Sequence, residues 1–149
     1  MLADFQQALA DLVASPERCQ AIRDGDPGVL DDYDLTPAEA DRLVAIAEHR
    51  GMAANCTIYR SNRLTPIVIN LPDTCAALGE HLRDVVDRFW ATHPTEHFVH
   101  FLVESDRFAE FVRELPAGAL PDDVATRVID AVEREGSVVR SRLAETTAA

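Results

Sequence analysis

The chain contains no lysine. All 14 of its basic residues are arginine, set against 26 acidic residues and a formal net charge of −12. That balance argues against sequence-independent nucleic-acid binding, which draws most of its affinity from neutralising phosphates. It argues equally against docking on anionic lipid. The cationic contacts that remain are planar guanidinium groups, suited to bidentate pairing. Cysteine is scarce: Cys19, Cys56 and Cys75 are odd in number, widely spaced and form no CxxC pair. They read as reduced thiols of a cytoplasmic protein, serving as small buried hydrophobes. The six glycines stand singly, so there is no phosphate-binding loop. No GxSxG elbow occurs, and the one local Cys/His pair, Cys75 and His81, is separated by Gly79. No apolar run approaches the roughly 18 residues of a membrane span. The opening MLADFQQALADLV lacks the basic start of a secretory signal.

What is present is helical. At 149 residues, 47% hydrophobic and 27% charged, the chain has an ordinary globular composition of one-domain size. Leu2, Phe5, Leu9, Leu12 and Val13 recur at helical spacing. Ser15-Pro16 ends that helix and caps a second. The acid-rich stretch from Asp24 to Asp34 reads as a solvated loop, because the alternating oxygen ligands of an EF-hand are missing. Thr36-Pro37-Ala38-Glu39 has the form of a capping box, with Gly51 as the stop of the helix it opens. A central helix is expected over about 53–70, kinked at Pro66. Leu82, Val85, Val86, Phe89 and Trp90 mark an amphipathic helix ended by His93-Pro94. Ser105-Asp106 is expected to open a helix carrying Phe108, Phe111 and Val112. After the linker Leu115-Pro116-Ala117-Gly118, Pro121-Asp122-Asp123 starts a last helix, which Gly136 weakens and whose end from Glu145 frays. Sustained period-two alternation is missing. The predicted fold is therefore all-α: a bundle of short-to-medium helices, with a module over 1–115 and a linker plus C-terminal helix over 116–149.

Three constellations bear on function. Carboxylate pairs such as Glu133/Glu135 and Asp122/Asp123 read as solvated faces. His93, His97 and His100 have metal-ligand spacings, but Pro94 breaks the helix that would align them. They read as turn histidines, with a divalent-metal site as the alternative. The third is the central stretch. No acidic residue lies between Glu48 and Asp73, while Arg50, Arg60 and Arg63 do. Within it, Tyr59, Arg60, Asn62 and Arg63 are the candidate contacts for a partner or peptide, since Tyr and Arg are favoured interface anchors. The competing reading makes Tyr59 and Arg60 interior fasteners that hold neighbouring helices.

The order Tyr59-Arg60-x-Asn62, Leu71-Pro72-x-Thr74, Leu78-Gly79, Phe89, Pro94 and Phe108-x-x-Phe111 resembles the small helical partner proteins of multinuclear non-heme iron-dependent oxidative enzymes. These are the TglI-like and HvfC-like proteins of ribosomal-peptide modification, and the resemblance spans roughly 2–115. It implies a non-catalytic subunit without a cofactor of its own, forming a heterodimer with a separately encoded barrel-type iron oxidase. The iron belongs to that enzyme, and the pair engages a precursor peptide for oxidation. It assigns no metal role to His93, His97 or His100. Longer relatives carry a second domain after the helical module, whereas here only the segment from Leu120 follows. Two other classes stand beside this one. The first is a helical DNA-binding regulator, with Thr36 to Arg63 read as two helices about a Gly51 turn. The second is a metalloenzyme built on the late histidines.

Overall fold

The computed structural model describes residues 2–93 and 101–147. Among them the fold is all-α: α1 (Leu2–Ala14), α2 (Pro16–Arg23), α3 (Pro37–Glu48), α4 (Arg50–Asn70), α5 (Pro72–Leu78), α6 (Leu82–Thr92), α7 (Phe101–Arg113) and α8 (Asp122–Thr147). Single 3₁₀ turns lie at Pro27–Leu30 and Gly79–His81. The chain divides into two compact units, Met1–Asn62 and Arg63–Ala149. This division falls inside α4, whereas the sequence suggested a boundary at the 115/116 linker.

The helix boundaries follow from local chemistry. Ser15 has extended geometry and accepts from Arg18 N at 3.3 Å, with Pro16 as the first helical residue of α2. The capping box of α3 is complete: Glu39 N donates to Thr36 Oγ1, and Thr36 N donates back to Glu39 Oε2 at 2.8 Å. These bonds, made mainly by the Thr36 backbone, hold the Glu39 carboxyl below its ordinary range. Gly79 closes α5 with φ of +52°, a conformation that a side chain disfavours.

In the first unit, Ala8, Leu12, Cys19, Ile22, Leu30, Leu43, Ala47, Met52 and Cys56 form the core. The acid-rich segment is more ordered than a solvated loop. Asp26 caps the 3₁₀ turn through Gly28 N, and the turn delivers Leu30 into the core. Tyr33 then donates to Asp11 at 2.6 Å and accepts from Arg18 at 2.7 Å, tying the loop to α1 and α2.

The second unit has its own core, centred on Phe89 and Phe108, whose rings meet edge-on with centroids 5.3 Å apart. From α8, Val128, Val132 and Val139 join it. The C-terminal helix is thus part of this unit's core and continues through Thr147.

Three further expectations are corrected. Gly51 lies inside α4, because the break falls at His49, which is extended. Ser105 is buried within α7 rather than opening it, its hydroxyl donating to Phe101 O and Pro66 O. Gly136 is buried against α7, where the guanidinium of Arg113 occupies the space a Cβ would need.

Candidate functional site

Helix α4 holds the sequence-predicted contacts, and its two faces differ sharply. Met52, Cys56, Arg63 and Ile67 are buried at helical spacing, so they form the inner stripe. Tyr59 and Arg60 are half-buried, while Asn62 is exposed. The opposite stripe, Ile58, Asn62, Thr65 and Ile69, is exposed. Every exposed residue of α4 from 53 to 69 is uncharged. Of the arginines that made this stretch a cationic island, Arg63 does not sit on its surface and Arg60 does so only in part. Arg50, at the first turn, does.

Arg63 is the clearest departure from expectation. It is 9% exposed, and its Nε donates to Glu104 Oε1 at 2.7 Å. Its Nη2 donates to the carbonyl of His93 at 2.9 Å, so it also caps the C-terminus of α6. The guanidinium carbon lies 5.5 Å from the Trp90 ring centre and 5.7 Å from that of Phe89. A buried arginine needs this full set of partners, because a charge left unpaired inside the protein is strongly unfavourable. Arg63 is an interior fastener of the second unit, the role the sequence had allowed for Tyr59 and Arg60. The signal that it turns inward was its spacing from Cys56 and Ile67. Its partner, 41 residues away, was invisible.

Of the late histidines, His93 lies among the described residues. His93 caps α6, stacks on Phe89 with centroids 4.9 Å apart and meets Phe111 edge-on at 5.7 Å. Its Nδ1 lies 2.9 Å from Thr92 Oγ1. His97 and His100 lie outside the described residues. Among the described residues, no group of three or more His, Cys, Asp or Glu side chains is arranged to hold a metal ion.

One concavity lies in the second unit. It is an open groove of about 470 Å³, with Val85 and Leu120 as its apolar floor and His81, Asp84, Asp87 and Arg88 around it. Its polar groups come from α6 and, for His81, from the 3₁₀ turn just before it. They provide charge and hydrogen bonds, but no nucleophile paired with a base.

A structural residue whose role the sequence did not reveal is Glu135. Its carboxylate accepts from Asp73 N at 2.8 Å, Thr74 N at 2.9 Å and Thr74 Oγ1 at 2.7 Å. Leu71, at the N-cap of α5, has no side-chain acceptor to offer. Glu135 supplies the cap from α8 instead, so this acid is not part of a solvated face. No helix among the described residues is long and apolar enough to cross a membrane. No protein-family model, curated protein or solved structure matches the chain.

Proposed function

We propose that this chain is a non-catalytic accessory subunit. It binds a multinuclear non-heme iron oxidase as a heterodimer and helps present a ribosomally made precursor peptide to it. The observation that carries the reading is the exposed face of α4. Ile58 and Ile69 are 60% and 62% exposed, and Val68 is 44% exposed, on a helix whose outer residues from 53 to 69 carry no charge. In a chain with a net charge of −12, such a face is the surface least costly to remove from water. The choice of partner rests on the resemblance of the Tyr59-Arg60-x-Asn62 and Leu71-Pro72-x-Thr74 segments to the partner proteins of iron-dependent peptide oxidases.

The contact set shifts accordingly. Arg63 is committed to Glu104, and Tyr59 and Arg60 are half-buried. The interface is therefore assigned to Ile58, Asn62, Thr65 and Ile69, spaced as helix-in-groove anchors are. Peptide engagement falls to the helical body or to a surface shared with the enzyme.

The test is co-expression with a neighbouring barrel-type oxidase, followed by size-exclusion chromatography. A one-to-one complex is expected, with iron present when the oxidase is. Ile58→Asp with Ile69→Asp should abolish co-elution while leaving the circular-dichroism melt of the isolated chain unchanged. Separate elution of the wild-type chains, or stoichiometric metal in this chain alone, would overturn the proposal.

A further inference from the structure

The end of α1 contains an acceptor that its own helix cannot satisfy. The carbonyl of Leu12 should receive the N–H of residue 16, but that residue is Pro16 and has none. Two thiols take its place. Cys19 Sγ donates to Leu12 O at 3.1 Å from α2, and Cys56 Sγ donates to the same oxygen at 3.5 Å from α4. Both cysteines are buried, at 1% and 3% exposure, and both are free. All three residues lie within the first unit. Two cysteines 37 positions apart in sequence thus converge on one atom. After burial, the neighbouring Cys56 thiol is the next largest influence raising Cys19 above its ordinary value.

Cys75 provides an internal comparison. It is also free and buried, but it belongs to the second unit, and its sulfur faces Ile67 O at 4.0 Å. At 9% exposure it is slightly more accessible than the other two, and it has no second thiol on its acceptor.

We propose that Cys19 and Cys56 are a latent dithiol, a modification site that a small-molecule disulfide oxidant converts into an intramolecular bridge between α2 and α4. One protein thiolate attacks a sulfur of the oxidant, breaking its S–S bond and expelling one small thiolate. The second protein thiol loses its proton and attacks the mixed disulfide, expelling the other. Two protein thiols lose two protons and two electrons, and the oxidant becomes two thiols. Burial makes the reaction wait on local opening of the α1–α2 joint, so it is slow and selective. The bridge also removes both S–H donors from Leu12 O. Oxidation therefore loosens the junction at Ser15-Pro16 while tying α2 to α4, which gives the thiol state a structural readout.

The experiment treats the native, reduced full chain with excess oxidised glutathione, quenches it by alkylation and maps peptides without reduction. The expected product has lost the mass of two hydrogen atoms, contains a Cys19–Cys56 linked peptide and retains alkylated Cys75. Hydrogen exchange at Arg18 and Cys19 N–H should be faster in the product. Cys75→Ala should give the same bridge, whereas Cys56→Ala should give none. Because Cys56→Ala could unfold, its melt is recorded, and the wild-type peptide map alone is decisive. A bridge involving Cys75, a stable mixed disulfide at Cys19 or Cys56, or oxidation only after urea is added would overturn the proposal.

Discussion

The carboxylate of Glu135 sits on the N-terminus of α5 and accepts both the hydroxyl and the amide of Thr74, at 2.7 and 2.9 Å. A helix end normally finds its cap in the residue just before it. Here that residue is Leu71, and the cap comes from α8, 61 positions beyond Thr74. Because the same carboxylate also takes Asp73 N, three donors lose their acceptor when it is removed. Arg134 adds a weaker strap, 3.4 Å from Asp73.

Glu135→Ala should therefore cost about 2–3 kcal/mol in urea unfolding, the sum expected for a lost cap and charge-assisted bonds at a half-buried site. Glu135→Gln keeps one good acceptor and should cost roughly half as much. Amide exchange at Asp73 and Thr74 should accelerate in both variants. A cost below about 0.5 kcal/mol for Glu135→Ala would return this residue to the surface class.

Arg63→Met should cost about 3–5 kcal/mol, because it leaves the Glu104 carboxylate buried without a counter-charge. Glu104 is 2% exposed, and its second oxygen has no hydrogen-bond partner among the described residues. Adding Glu104→Leu should recover most of the loss, since an apolar pair can replace a buried ion pair at little cost. The remainder reflects the His93 carbonyl, which loses its donor in either variant. Chemical denaturation of the two single variants and the double variant gives the coupling. Additive effects would remove the ion pair as the explanation.

Much of the local architecture could be read from the chain. Ser15-Pro16, Thr36 with Glu39, Gly79 and Pro121 mark helix ends through neighbours three or four residues away. The interaction that decides each boundary is within sight of the residue itself. Arg63, Ser105, Glu135 and Gly136 are not legible in the same way, for the opposite reason. Each is defined by a partner at long range: Glu104, Pro66, Thr74 and Arg113. A charged residue in an acid-free window resembles a surface anchor until its buried counter-ion is known. The inner stripe of Cys56, Arg63 and Ile67 was present in the spacing. The general preference of arginine for water points the other way. The exposed stripe of Ile58 and Ile69 could be read in the same way, because removing the inner positions from α4 leaves it.

Alkaline pH should destabilise the protein through its thiols. Burial pushes the Cys75 thiol up to about 11 from an ordinary 9.0, and the nearby Glu135 charge adds to the rise. Burial similarly pushes Cys19 up to about 11. In the unfolded chain both thiols ionise near their ordinary value. Their contribution to stability is therefore complete below about pH 9 and is lost as the pH rises through about 11. Cys75→Ala should flatten the fall in melting temperature across this window by its own share, leaving that of Cys19 and the similarly raised Tyr33. Wild-type and variant curves that stay parallel from pH 8 to about 11 would contradict the assignment.

Gly136→Ala tests whether a glycine in a helix interior is a weakness or a requirement. By helix propensity alone the change should stabilise α8 by about 1 kcal/mol. In this fold the added methyl meets the Arg113 guanidinium and lies 3.3 Å from Ala109 Cβ. Arg113 must then give up its bond to Val132 O at 3.3 Å and its pairing with Glu133 at 3.2 Å. Losing a charged bond to a part-buried carbonyl outweighs the propensity gain, so the net effect should be destabilising by roughly 1 kcal/mol. In an Arg113→Ala background the guanidinium is gone and only the tight Ala109 contact remains, so the same substitution should become stabilising by up to about 0.5 kcal/mol. The reversal of sign between the two backgrounds, read from paired urea titrations, identifies close approach as the reason for this glycine. If Gly136→Ala stabilises the protein in both, Arg113 does not hold its seat over α8, and the helix merely tolerates glycine there.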